Sequence, residues 1–570
     1  MVAAKTAAIF VEEYGVLLEL SGANAFRVRA YNNAVRALET LAAPLDEMLA
    51  AGTLTEVKGI GKSVAELVAE FAETGTARAY EELRAAVPAG LLEMLRVPGL
   101  GPRKIIAIRE ALGVADLDAL AEAARAGQLA DLKGFGKKTQ ENILKGIDYI
   151  RAHQGRFRAD IARASADELL ETLAQLPQTE RVEVAGSLRR AKETVKDIDF
   201  VVSGTDAEAI AAAFVGHPEV EEILAQGETK SSVRLKNGLQ ADLRVVTAAQ
   251  FPYVLHHFTG SKEHNVALRA RAQARGLKIN EYGLYRGEAL VECGDEAAFF
   301  AAMDLAHIPP ELREGMGEIA AAEAGALPEL VTAADIRGML HVHSTYSDGA
   351  DSLAAMAAAV RARGYEYLGM ADHSQSAAYA GGLKPDAVKR QWEEIDRLNE
   401  KMAPFRIFKG IESDILTDGA LDYDDDILAQ FDYTVVSVHS QFNLDRDKMT
   451  DRIVRAIEHP AATIVGHLTG RLLLDREGYE VDIDRIVAAA AEHGVAIEIN
   501  AHPARLDIDW RHVKKARDQG VNIAINTDAH SIGGLDHLPY GIGIGRKGWL
   551  RAEDVPNALD ADTIAAWFQN

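Results

Sequence analysis

The sequence predicts a multidomain chain: a helical N-terminal region, an α+β middle and a C-terminal parallel α/β barrel. Three observations carry this. An apolar-x-Gly-apolar-Gly motif recurs three times in the first 150 residues, and each copy precedes an amphipathic stretch of helical period. Near residue 180 the texture changes to short apolar strands, at 182–185, 198–202, 233–235 and 239–246. From Met339 onward seven strand-like segments alternate with helices, at 340–343, 367–371, 406–411, 433–437, 463–466, 496–500 and 522–526.

Composition sets the limits. With 570 residues the chain exceeds one ordinary core. Hydrophobic residues at 48% and charged residues at 26% are ordinary for a globular protein. No apolar run approaches a membrane span, and Glu12 and Glu13 interrupt any apolar core near the start. The single cysteine, Cys293, excludes intrachain disulfides and cysteine-based zinc sites. A cytoplasmic, monomeric enzyme with no membrane contact is expected. The net charge of −24 by itself disfavours nucleic acid, but most of that excess falls after residue 300. Residues 133–163 hold eight Lys or Arg against three acids. A DNA-binding protein needs a basic track, not a basic total.

The repeats are centred on Gly59-Ile60-Gly61, Gly99-Leu100-Gly101 and Gly134-Phe135-Gly136, with basic residues following at Lys62, Arg103, Lys104, Lys137 and Lys138. Paired glycines allow a tight turn and close ligand approach. The following helix then starts with free N–H groups that suit a phosphate. The pattern resembles the helix-hairpin-helix motif, which grips the DNA backbone without reading sequence.

In the middle region Asp197-Ile-Asp199 presents two carboxylates on one strand face, and Asp242 lies on another strand. Three carboxylates suit two oxygen-bound ions, Mg²⁺ or Mn²⁺. Such ions can activate an attacking hydroxyl and stabilise departing pyrophosphate. Gly186 admits a triphosphate to the backbone, and Ser187 and Arg190 can donate to its oxygens.

Gly186-Ser-Leu-Arg-Arg190, Asp197-Ile-Asp199 and Phe258-Thr-Gly-Ser-Lys-Glu-His-Asn265 resemble the palm and thumb signatures of family X DNA polymerases. The resemblance covers about residues 1–315. It implies catalytic metal ligands at Asp197, Asp199 and Asp242, triphosphate contacts at Gly186, Ser187 and Arg190, sugar contacts at Phe258 and Gly260, and base or template contacts at Asn265 and Arg269. The family often has Tyr-Phe where this chain has His257-Phe258, which leaves ribonucleotide discrimination open. Relatives with deoxyribose-phosphate lyase activity use a lysine where this chain has Leu67, and leucine offers no amine for a Schiff base. Strong lyase activity is not expected.

The C-terminal region holds nine metal-ligand candidates at or beyond predicted strand ends: His341, His343, Asp348, His373, Glu412, His439, His467, Asp528 and His530. Six of the chain's 17 histidines fall there, too many ligands for one tetrahedral zinc. About residues 336–570 resemble the polymerase-and-histidinol-phosphatase (PHP) domain. That resemblance implies a (β/α)₇ barrel with three ions, Mn²⁺ or Zn²⁺. One would sit at His341, His343, Glu412 and Asp528, a second at Glu412, His439 and His467, and a third at Asp348, His373 and His530. Arg505 is a further candidate, for neutralising substrate phosphate.

The expected domains are an N-terminal helical domain at 1–85, fingers at 86–150, palm at 151–250, thumb at 251–315, linker at 316–335 and PHP barrel at 336–570. The DNA-binding candidates are Gly59, Gly61, Gly99, Gly101, Gly134, Gly136 and Lys137. The expected function is template-directed gap filling in DNA repair, on gapped or primer–template DNA with deoxynucleoside triphosphates. The barrel is expected to supply 3′–5′ exonuclease or 3′-end processing, with abasic-site cleavage as an extension. The alternatives are an untemplated nucleotidyltransferase, a fused small-molecule phosphatase and a non-catalytic DNA scaffold.

Overall fold

A computed structural model of the chain describes residues 4–39, 41, 45–97 and 99–569. The chain divides into two compact units, Met1–Gln154 and Gly155–Asn570.

The regular structure described in the first unit is helical. It encloses two cores. One gathers Val11, Leu18, Leu38, Val64, Leu67 and Val68, and the other Leu91, Met94, Ile105, Ile108, Ile143 and Ile147. The three glycine motifs adopt one geometry. Gly59, Gly99 and Gly134 all have positive φ, at 108°, 79° and 87°. Gly61, Gly101 and Gly136 are extended and precede the helices Lys62–Thr74, Pro102–Leu112 and Lys137–Ala152. The positive φ explains the first glycine of each pair. At both glycines of the second and third motifs, and at Gly61, an added Cβ meets nothing within 4 Å, so these turns stay open to a ligand. Ile60 and Leu100 plug into the cores between the glycines. No side chain caps any of the three helix starts, which leaves backbone donors available. Leu67 lies buried on the helix Lys62–Thr74 as a core residue.

The second unit begins with a five-stranded sheet in the order Thr179–Val184, Asp197–Gly204, Gln240–Val246, Lys230–Leu235, Val220–Gln226. The helices Ala159–Ala174 and Ala207–Val215 cover one face, where Leu169, Phe200 and Phe214 pack. The helix Phe251–Thr259 covers Ala185 and Val201 on the other. Asp197–Gly204 and Gln240–Val246 run parallel with Asp199 opposite Asp242. The strand Val220–Gln226 was not expected from the sequence. Beyond the sheet, a core of Tyr253, Leu268, Phe299, Phe300 and Leu312 holds the helices Phe251–Thr259 and Lys262–Ala274 together with a small antiparallel sheet.

The segment 316–335 is a packed connector. Its helix Glu318–Glu323 buries Glu318 against His264, with Nδ1 2.7 Å from Oε1. Leu330 joins the preceding core and Val331 the barrel core.

The C-terminal barrel follows the predicted strand order with one difference. The stretch 406–411 forms two strands, Arg406–Phe408 paired with Tyr367–Met370, and Gly410–Asp414 paired with Tyr433–Ser437. The break at Lys409 extends the second strand through Glu412. Parallel bridges Val342–Ala529 and His373–Glu412 join the two sheet halves into a ring. The interior is filled by Leu340, Tyr367, Phe408, Tyr433, Ile464, Ala496 and Ala524, with Trp567 and Phe568 packed against them. This plugs one end and leaves the C-terminal strand ends as the open face.

Where these parts of the second unit meet, Glu314 is nearly buried between Arg190 (Nε, 2.9 Å), Lys192 (Nζ, 3.2 Å) and Lys547 of the barrel. Burial opposes its charge, but the three cations prevail, Lys547 and Arg190 foremost, and hold its carboxyl at about 2. Lys192 and Lys547 also both lie over the Trp510 ring, at 4.9 and 4.6 Å.

Candidate active sites

The acidic site is built by strand register. Parallel pairing sets Asp199 beside Asp242, and alternation adds Asp197 on the same face. Burial, then Asp197 and Asp242, push the Asp199 carboxyl up to about 7. Asp197 is raised by burial and then by Asp242. Asp242 is approached by Lys230 Nζ at 3.3 Å and accepts from Gln240 Nε2 at 3.0 Å. Crowded carboxylates with oxygen donors alone suit a hard divalent cation.

A titration follows. Between the ordinary carboxylate range and about 7, folded Asp199 keeps a proton that the unfolded chain has lost. The ion-free fold therefore loses stability as pH rises through that window. Thermal melting without divalent ions should show this loss, and Mg²⁺ should reverse it with proton release near pH 7.

Gly186 has a φ of +64°, and a Cβ there would collide with the Asp199 carboxylate. Gly186→Ala should displace Asp199 and lower extension by roughly a hundred-fold, on the scale of a 1 Å misplacement of a reacting group. A single-nucleotide extension assay checks this, and near-normal turnover would exclude the close approach as a requirement.

The nucleotide candidates Gly186, Ser187, Arg190, Phe258, Gly260, Asn265 and Arg269 all line a cavity of about 580 Å³, together with Asp197 and Asp199. Arg190 also donates to the Thr259 carbonyl besides pairing with Glu314. The Asn265 amide donates to the His257 carbonyl at 2.8 Å, and Arg244 lies over the Phe258 ring at 3.9 Å. Lys192 lines the same cavity and was not singled out from the sequence. Its position two residues after Arg190 carried no separate signal.

In the barrel, the nine candidates converge on the open face. Three close groups of ligand atoms form among the described residues: His343, Asp348, His373 and His530; His341, His343 and Asp528; His373, Glu412 and His439. His467 Nε2 reaches Glu412 at 3.0 Å without joining a close triad. This grouping differs from the expected one in letting His343 and His373 each serve two groups. The palm carboxylates form no comparably tight group among the described residues.

These atoms fit cations better than each other. His341 Nε2 and both His343 ring nitrogens are buried and make no hydrogen bond among the described residues. Yet carboxylate oxygens lie 3.0–3.9 Å away. Donors and acceptors converge on common points rather than aligning pairwise. Burial and the neighbouring His530 push His343 down to about 3, so its ring stays neutral with a lone pair free. Burial opposes the Glu412 charge, but His439, His341 and His373 keep it ionised. His341, His467 and Asp528 have φ of 54°, 22° and 51°. Such backbone persists only where the surroundings impose it, and it gathers at functional sites.

Sequence reading missed the residues that orient these ligands. Glu498 is fully buried and binds His341 Nδ1 at 2.5 Å, the His467 N–H at 3.0 Å, and the side-chain amides of Asn500 and Asn526. Asp414 takes His439 Nδ1 at 2.6 Å. Asp372 accepts from Ser344, Ser347 and Gln391. Carboxylates behind metal-binding histidines fix ring orientation and tautomer. The signal for Glu498 was a charge inside Ala-Ile-Glu-Ile-Asn, an otherwise buried strand.

Known proteins share this organisation. Helix-hairpin-helix families match residues 3–77 and 91–148, the DNA polymerase beta thumb matches 254–314, and the PHP domain matches 339–502. The DNA polymerase/3′-5′ exonuclease PolX of Bacillus subtilis (strain 168) is 40% identical over 567 residues, covering 98% of each chain. This chain is a bacterial family X DNA polymerase with a C-terminal PHP domain. A "probable phosphatase" of Thermoanaerobacter sp. (strain X514) is 29% identical over 180 residues, 30% of this chain and 68% of the relative. One from Caldanaerobacter subterraneus is 30% identical over 141 residues, covering 23% and 53%. The PHP match of this family X chain ends before Asp528 and His530, which the last barrel strand, Ile523–Asn526, carries into the cluster. No helix among the described residues is long and apolar enough to cross a membrane.

Proposed function

We propose that this family X chain is a template-directed DNA polymerase that fills short gaps in DNA repair. Its PHP barrel acts as a 3′–5′ exonuclease and 3′-end-processing phosphodiesterase, extending to abasic-site cleavage. One observation carries the reading: a chain aligned end to end with a polymerase/exonuclease holds two donor sets of different chemistry, one all-oxygen and one imidazole-rich.

Two Mg²⁺ or Mn²⁺ in the palm and three Mn²⁺ or Zn²⁺ in the barrel would supply Lewis-acid assistance to phosphoryl transfer and phosphoester hydrolysis. Asp197, Asp199 and Asp242 would hold the first set, and the nine barrel residues the second. Ser187 and Arg190 donate to the triphosphate oxygens, while Gly186 keeps the backbone within reach of them. Phe258 and Gly260 pack on the sugar, and Asn265 and Arg269 face base or template. In the barrel Glu498 keeps His341 Nε2 turned to the cluster, and Arg505, whose Nε is 3.6 Å from Asp528, offsets substrate phosphate. Lys137 and the glycine turns at 59–61, 99–101 and 134–136 hold DNA phosphates. The substrates are gapped or primer–template DNA and deoxynucleoside triphosphates, and the enzyme works as a cytoplasmic monomer.

A gapped-duplex assay with each nucleotide supplied singly tests the templated reading. Insertion of the complementary nucleotide is expected, and equal insertion of all four would favour an untemplated transferase. Likeness to probable phosphatases favours a second reading for the barrel alone, a small-molecule phosphatase. Turnover of histidinol phosphate without attack on a DNA 3′ end would carry that reading.

A further inference from the structure

Tyr379 is 70% exposed, and among the described phenylalanine, tyrosine and tryptophan residues only Phe26 is more so. It stands beside the barrel's ligand cluster. Its ring centroid is 6.1 Å from that of His373 and 6.2 Å from that of His439. The one-turn helix Ala378–Ala380 that carries it is anchored. The Ser376 N–H donates to Asp422 at 2.6 Å, and its hydroxyl donates to Asp414 at 2.8 Å. Gln375 donates to the Asp422 carbonyl at 2.6 Å. Asp414 also holds His439, so the ring and a ligand histidine share one support. At Gly382 a Cβ would run into the Ser374 carbonyl, which closes the base of the turn tightly.

The same rim carries cations and a second aromatic step. Arg505 approaches Asp528, and Arg476 lies over Phe442 at 4.8 Å. Phe442 stacks on Tyr479 with centroids 5.9 Å apart and planes 10° apart. The open Tyr379 ring and the partly exposed Phe442, beside guanidinium groups, suit a single nucleic-acid strand, whose bases stack while its phosphates pair. A compact phosphomonoester makes no use of such a step.

We propose that Tyr379 is a stacking platform for the 3′-terminal nucleobase of a single strand, positioning the scissile phosphodiester over the barrel's ligand cluster. This rests on the exonuclease reading. Base and scissile phosphate lie on either side of one sugar, so a base on the ring brings the phosphate to the histidines beside it. A paired terminus must first unstack to use the ring, so frayed or mismatched ends are preferred over paired ones.

The test uses the full-length chain with Mn²⁺, as wild type, Tyr379→Ala and Tyr379→Phe. Steady-state degradation is measured on a single-stranded oligonucleotide and on the same strand ending in a base-free sugar. Tyr379→Ala should raise KM on the normal strand roughly ten- to a hundred-fold with kcat little changed. Tyr379→Phe should match wild type. All three should act alike on the base-free end. A wild-type KM for Tyr379→Ala, or an equal loss on both substrates, overturns the platform and leaves the exonuclease standing. Failure of Tyr379→Phe points to the hydroxyl and also overturns it. If wild type degrades no 3′ end at all, the exonuclease reading and the platform fall together.

Discussion

Asp199→Ala should abolish primer extension while degradation of 3′ ends continues. Asp199 sits opposite Asp242, beside Asp197 and against Gly186, so it faces both the other acids and the adjoining cavity. Burial and its like-charged neighbours make its ionised form costly without a cation. A fold keeps such a group for what it binds, not for what it adds to stability. The loss in kcat should be roughly a thousand-fold or more, about 4 kcal/mol of barrier. Removing the carboxylate also relieves repulsion, so melting without divalent ions should hold steady or rise. That separates lost chemistry from lost structure. Extension within tenfold of wild type would remove Asp199 from its assigned place.

His343→Ala should give the converse, with degradation lost by roughly a thousand-fold and gap filling retained. His343 is fully buried and belongs to two of the three ligand groups. Its Nε2 is 3.0 Å from Asp528, and its ring stacks on His530 with centroids 4.1 Å apart. One substitution therefore disturbs both groups. The vacated space is walled by polar ligands, so water can fill it, unlike an apolar cavity. Gap filling measured on the same preparation reports whether the chain is folded. Loss of both activities together would contradict the separate-site reading.

The legibility of the sequence varied with the physics. The barrel strands were readable because they are buried on both faces and appear as unbroken apolar runs. The strand Val220–Gln226 was not, since its exposed edge mixes Glu221, Glu222 and Gln226 with Ile223 and Leu224 and shows no alternation. The break at Lys409 follows from a change of pairing partner, which local pattern does not encode. The histidines stood out because His-x-His and Ala-Asp-His at strand ends are rare combinations. Which ligand shares which group depends on barrel closure, and there His373 came out beside Glu412. Glu498, Asp372 and Asp414 act by holding neighbouring groups in place, so the sequence marks them at most as charges in buried strands or beside a histidine and does not say which ligand each supports.

The contacts around Glu314 bear on how the two activities can be studied apart. Arg190 is steadied by Glu314, and Lys547, more than two hundred residues further on, is pressed against both the Glu314 carboxylate and the Arg190 carbonyl. Truncation before the barrel would strip that ammonium from Glu314 and the Trp510 ring from Lys192, two residues that line the cavity beside Gly186. A shortened polymerase that binds triphosphate poorly would then report a damaged hinge of charge, not a dependence on nuclease chemistry. Single side-chain replacements, rather than excised halves, are the instrument this architecture calls for.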